Sequence, residues 1–179
     1  MRWPPLPAWF VLALCAAGRG AAEPAPGAAA EEVPTVLMVI VHPENPVTDL
    51  PLSELRALCK LERQFWASKR RCALYLPPSK SDEYAVLLDR VYRMTHKKLQ
   101  KYWVQKLFSG DIPSKPEHVP SAKLAVDKVK EEPGALSFLV AGEVPKGVKL
   151  VTIDGKKPGE KDYALLAIPP KKGAEDEEP

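Results

Sequence analysis

Residues 35–42 (TVLMVIVH) form a continuous run of apolar and β-branched side chains between Pro34 and Pro43, and they limit the fold more than any other segment. A strand with one wet face alternates apolar and polar residues. Here no polar residue interrupts the run, so the strand must be covered on both faces. The arrangement that covers a strand twice is a sheet with helices packed on it. A chain of 179 residues with 45% hydrophobic content has room for one such domain and its core.

The rest of the chain supplies the helices and further strands. Leu52, Leu55, Leu58 and Cys59 share one helical face, with Ser53 available as its cap. Residues 69–76 (KRRCALYL) read as a second strand. Tyr84, Leu87, Leu88, Val91 and Tyr92 repeat with helical period, and Thr95 caps a further helix with Leu99, Trp103 and Leu107 inward. Gly110 and Pro113 stop that helix. After a proline-studded loop, Ser121 caps a helix that turns Ala122, Ala125, Val126 and Val129 to the core. Residues 135–140, 148–154 and 162–168 read as closing strands. The expected fold class is α/β, a mixed sheet flanked by helices.

The ends of the chain read differently from its body. Arg2, the apolar run AWFVLALCAA (residues 8–17) and the small residues before Glu23 make a secretory signal with cleavage after Ala22. The run of about ten residues is too short for a bilayer, which needs about 20. Leu14 before Cys15 does not fit lipoprotein processing. A periplasmic or secreted location follows, with no membrane span once residues 1–22 are removed. Residues 23–34 (EPAPGAAAEEVP) read as a flexible leader and 169–179 as a disordered acidic tail, leaving the folded domain at 35–168.

Charge and cysteine content narrow the function. Lys and Arg number 26 against 23 Asp and Glu in the whole chain. Without residues 1–22 the basic count is 24, so the exported chain is nearly neutral. Acids gather in the leader and in the EDEE of the tail, and the body keeps 22 basic against 16 acidic residues. That excess favours anionic partners but falls short of the dense basic stripe of a nucleic-acid binder. Cys59 and Cys72 remain after export. They fit either a disulfide closing a loop of about 13 residues, worth about 3 kcal/mol, or two buried apolar thiols.

With the elements placed, VIVHPENPVTDLPLSELRALC (39–59), Trp66, YWVQKLFSGDIP (102–113), EEPGALSFL (131–139) and VKLVTIDGKKP (148–158) resemble, in this order, the phosphate ABC transporter substrate-binding proteins. The resemblance covers about residues 36–168. It implies a periplasmic-binding-protein-like (type II) fold in a single-lobe short form, since the family closes two lobes over an anion. It also implies inorganic phosphate or another small anion as ligand.

The family's anion site is an Arg-Ser-Asp-Gly-Ser-Gly type loop between a strand and a helix start. The resemblance carries that role to LPPSKSDE (76–83), and so to Ser79, Lys80 and Ser81 as ligand-binding residues. Amide groups and the helix dipole favour an anion there. The departures are large. No arginine supplies a bidentate grip, no glycine allows close approach, and Pro77 and Pro78 lack amide hydrogens. The other reading, favoured because capping serines are far commoner than phosphate-binding ones, is that Ser79 or Ser81 caps the helix, with Asp82 and Glu83 in the first turn complementing the dipole and repelling an anion.

Other chemistry has little support. His42, His96 and His118 are scattered without metal-ligand spacing, and no nucleophile elbow, P-loop or dinucleotide fingerprint is present, so neither cofactor nor enzymatic activity is expected. The basic clusters SKRR (68–71) and HKKLQK (96–101) read as solvated faces. Trp66, Tyr102 and Trp103 are candidates for ligand stacking, but the last two lie in a helical apolar stripe that suits core packing. The expected function is an exported, non-enzymatic binding module with weak oxyanion affinity. The alternative is an accessory domain that has lost solute binding and contacts another envelope protein.

Overall fold

A computed structural model of the chain describes residues 34–167. The expected signal segment, the leader apart from Pro34, Ile168 of the last expected strand and the acidic tail lie outside these residues. In chain order the strands are β1 (Thr35–Val41), β2 (Asp49–Leu50), β3 (Ala73–Leu76), β4 (Glu117–His118), β5 (Ala135–Val140), β6 (Lys149–Ile153) and β7 (Leu166–Ala167). The helices are α1 (Leu52–Cys59), α2 (Asp82–Val86), which continues through a π-wound turn at Leu87–Tyr92, α3 (His96–Phe108) and α4 (Ala122–Glu131).

β1 sits inside the sheet, whose order is β2-β6-β1-β5-β3-β4, with β7 pairing the first residues of β1. It runs antiparallel to β5 and β6, while β3 runs parallel to both β5 and β4. Its side chains alternate between two cores, as a period of two requires. Leu37, Val39 and Val41 join the core built with α1, α2, the π-wound turn and α3. Met38 and Ile40 join the smaller core under α4, with Ala125, Val126 and Val129. The unbroken apolar run thus has the double cover it predicted. Ser137 on β5, fully buried, satisfies its hydroxyl on the Tyr75 carbonyl at 3.0 Å.

The expected caps form where they are local. Thr95 Oγ1 accepts from Lys98 N at 3.3 Å, and Ser121 Oγ from Leu124 N at 3.3 Å. Ser53 is not a cap. α1 starts after Pro51, and its Leu52 amide donates instead to Asp154 Oδ1 at 3.1 Å, from the turn after β6. Ala122 is exposed rather than inward, because it occupies the first helical position beside its cap. The second strand is shorter than residues 69–76. Lys69 adopts φ 62° in a tight turn, and the ladder with β5 begins at Ala73. β2 and β4, two residues each, lie in segments whose composition reads as loop.

Trp66 and Trp103 are core residues. Trp66 donates through Nε1 to the Gly134 carbonyl at 2.9 Å, and Trp103 meets Tyr92 edge-on with centroids 5.7 Å apart. Tyr102 is half-buried and donates to the Lys60 carbonyl at 3.1 Å. Cys59 and Cys72 are both free thiols, so the disulfide reading is corrected to the alternative of two small apolar side chains in the main core. Burial, and then the neighbouring Cys72, push the Cys59 thiol well above its ordinary range. Burial, and then the Glu132 charge, push Cys72 up to about 12.

Two outcomes are expected. In a Cys15→Ser chain at mildly alkaline pH, an aromatic disulfide reagent leaves both remaining thiols unreacted in the native state and consumes both after unfolding. Rapid native reaction of either would contradict the burial. Gly134 lies so close to the start of β3 that an added Cβ would fall 2.0 Å from the Arg71 carbonyl oxygen. Gly134→Ala therefore lowers the unfolding free energy by about 1–3 kcal/mol, read from the denaturant midpoint. Gly142→Ala, which meets nothing within 4 Å, changes it by less than about 0.5 kcal/mol.

Candidate functional site

Because β3, β4 and β5 are parallel, their carboxyl ends lie on one side of the sheet, where open α/β sheets bind ligands. The segment that leaves β3 on that side is residues 77–83, which contains the candidate residues. Pro77 is buried beneath it, and Ser79 and Lys80 are exposed at the tip of a turn closed by Ser81 N donating to the Pro78 carbonyl at 3.0 Å.

Ser81 is the N-cap of α2. Its backbone is extended (φ −92°, ψ 156°), and its Oγ accepts from Tyr84 N at 3.2 Å. Asp82 and Glu83 occupy the first turn behind it. The capping reading therefore applies to Ser81, while Ser79 and Lys80 keep side chains directed to solvent without a hydrogen bond or ion pair to other described residues. What the loop offers an anion is two hydroxyl groups, one ammonium group and the outward amides of a helix start. Set against these donors are two carboxylates within the same turn.

A grouping that the sequence did not disclose stands beside this loop. His118, at the end of β4, has Nδ1 2.6 Å from the Pro77 carbonyl, a contact that requires Nδ1 to carry the hydrogen. Its ring meets Tyr84 edge-on at 5.1 Å. His96, at the start of α3, meets the same tyrosine from another direction, with ring centroids 5.7 Å apart and Nδ1 3.3 Å from the hydroxyl. The two histidines are 22 residues apart in sequence. Only the parallel pairing of β3 with β4 (Leu76↔His118) and the short connection into α3 bring them to Tyr84. Their role here is to fix the loop and the helix start. His42 is elsewhere, accepting from Glu44 N at 3.1 Å in the turn after β1. Among the described residues no group of three His, Cys, Asp or Glu is placed to hold a metal ion, and no helix is long and apolar enough to cross a membrane.

The turn that holds Asn45 and Pro46, within the 39–59 segment, lies at the other end of the sheet. β1 ends where β5 begins (Val41↔Leu136), so residues 42–48 are remote from Ser79 along the strands. Asn45 is buried there, its Oδ1 accepting from Val47 N at 3.1 Å, as a turn-forming residue does.

No protein-family model and no curated protein sequence matches the chain. Solved structures do. PstS from Borrelia burgdorferi superposes with a TM-score of 0.60 at 17% identity, covering 74% of this chain and 55% of that one. An ABC-type phosphate transport receptor from Vibrio cholerae gives 0.58 at 19% identity, covering 75% and 55%. A phosphate ABC transporter substrate-binding protein from Clostridium perfringens, with bound phosphate, gives 0.56 at 14% identity, covering 70% and 48%. The chain thus has the mixed α/β fold of these transport proteins and spans about half their length. At these identities the likeness is one of fold.

The two serines separate experimentally. Ser81→Ala removes a cap and lowers stability by about 1 kcal/mol. Ser79→Ala, at an exposed turn tip, stays within about 0.5 kcal/mol of the parent. Equal losses in thermal or denaturant unfolding would contradict the assignment of the cap to Ser81.

Proposed function

We propose that this chain is an exported, non-enzymatic solute-binding module whose ligand is a small oxyanion of the phosphate type, held weakly at Ser79, Lys80 and Ser81. One observation carries the reading: these residues leave the carboxyl end of β3, beside parallel β4 and β5, and open α2, in a fold shared with phosphate-transport proteins. Ser79 and Ser81 each have a hydroxyl hydrogen to donate, and Lys80 brings a mobile positive charge. His118, anchored on the Pro77 carbonyl, holds the base of the loop.

Weak affinity follows from the same geometry. The loop has no guanidinium, and Pro77 and Pro78 have no amide hydrogens to offer. The exposed turn keeps any bound anion in contact with water, where each hydrogen bond contributes about 0.5–1.5 kcal/mol net. Asp82 and Glu83 oppose a negative charge from behind.

Calorimetric titration of the full processed chain with phosphate and with sulfate tests the proposal. The expected result is saturable heat with a dissociation constant of about 1 mM, which corresponds to about −4 kcal/mol. Lys80→Gln should weaken it by up to about fivefold, and Ser79→Ala should weaken it without changing the melting temperature. Heat-silent injections through the millimolar range would remove the oxyanion reading.

A further inference from the structure

A separate cavity opens near the beginning of β3, at the strand's other end from Ser79. β4 pairs only with Tyr75 and Leu76, and Pro113 and Pro116, in the loop that precedes β4, have no amide hydrogens with which to extend the ladder. The space beside Leu74 is left open, with a volume of about 460 Å³. That lies within the range of small-molecule sites, about 300–1,000 Å³.

The walls combine an apolar floor with charges of both signs. Leu74 and Ile112, both buried, form the floor. Arg71 and Lys115 reach the cavity as exposed cations, and neither makes an ion pair among the described residues. Opposite in sign is Glu132, the residue just after α4, whose Oε2 accepts from the Tyr75 hydroxyl at 2.7 Å. Tyr75 is itself buried, so this bond gives the carboxylate a fixed position while leaving its other oxygen to accept. The second carboxylate on the wall, Glu117, is 3.9 Å from Lys128. Two cations and two carboxylates match neither a bare anion nor a bare cation. Cys72 also lines the space, and burial, then the Glu132 charge, push its thiol up to about 12.

We propose that this cavity binds a small zwitterion with an apolar body, of the free amino-acid type. The carboxylate meets Arg71 and Lys115, the ammonium meets Glu132, and the side chain rests on Leu74 and Ile112. This site is independent of the oxyanion loop.

The test is a chemical-shift titration of the full processed chain with L-leucine, leucinamide, N-acetyl-L-leucine and glycine. Leucine should shift amides lining the cavity, Ala73 and Ser114 among them, and leave those of residues 79–81 unmoved. Loss of either charge, in leucinamide or N-acetyl-leucine, should weaken binding by up to about fivefold, the amount one exposed ion pair supplies. Glycine, lacking the apolar body, should bind more weakly still. Glu132→Gln, which keeps an oxygen for the Tyr75 bond, should abolish the difference between leucine and N-acetyl-leucine. No shift with leucine through the tens of millimolar, binding of either capped analogue as tightly as leucine, or shifts confined to residues 79–81 would overturn the proposal. Phosphate added first should leave leucine binding unchanged, which separates failure here from failure of the oxyanion reading.

Discussion

The whole sheet depends on β1 burying both of its faces. A strand in that position cannot spare a polar side chain on either side, and its backbone must be paired along both edges. β5 and β6 meet the second demand with antiparallel ladders, and the two helical layers meet the first. The later topology follows from this. With β5 antiparallel to β1 and β3 parallel to β5, the loops at the carboxyl ends of β3, β4 and β5 share one side, while the turn after β1 and the start of β3 share the other. The loop at residues 77–83 and the cavity near Arg71 are consequences of that single arrangement, one at each end of β3.

What could be read from the sequence was what depends on neighbours within about four residues. The run at 35–42 has one interpretation because nothing polar breaks it, and Thr95 and Ser121 cap helices that begin immediately after them. Contacts across the chain could not be read this way. The α1 cap comes from Asp154, 102 positions away, held in a left-handed turn (φ 52°) after β6. Its neighbour in space, Asp49, accepts from Thr152 Oγ1 at 2.6 Å and from Gly155 N at 2.8 Å, and these two bonds, the hydroxyl first, hold its carboxyl below the usual range. A local serine was the reasonable candidate for the α1 cap, and a distant aspartate took the position because the β2–β6 pairing delivers it there.

The candidate site divides along the same line. That residues 79–81 form a helix entry was evident from two serines followed by two acids, and the structure resolves which serine does the capping. The histidines were legible only as scattered residues, since nothing in their spacing reports that β3 and β4 pair in parallel. Two-residue strands carry no alternation to detect, and β4 is one of them, yet its register is what sets His118 against Pro77 and Tyr84.

The loop at residues 77–83, proposed above to hold an oxyanion, sets the interactions that stabilise a helix start against those that would hold an anion. A helix start contributes amides and a partial positive charge whatever its sequence, worth about 0.3–1 kcal/mol to an exposed anion. That contribution is offset here by the carboxylates of Asp82 and Glu83, which serve the stability of α2 and act against a ligand at the same spot. Ser81 is likewise shared, since the hydroxyl that accepts from Tyr84 N in the cap is the one that would donate its hydrogen to a ligand. The features that stabilise this helix and those that would hold phosphate therefore compete for the same few atoms. Tight binding at such a loop requires groups outside the competition, either a guanidinium from the strand end or a facing surface that excludes water. The strand end in this chain provides neither, because Leu76 and Pro77 are committed to the core and to His118. For an anion proposed at this loop, a facing surface is thus the one remaining source of tighter binding.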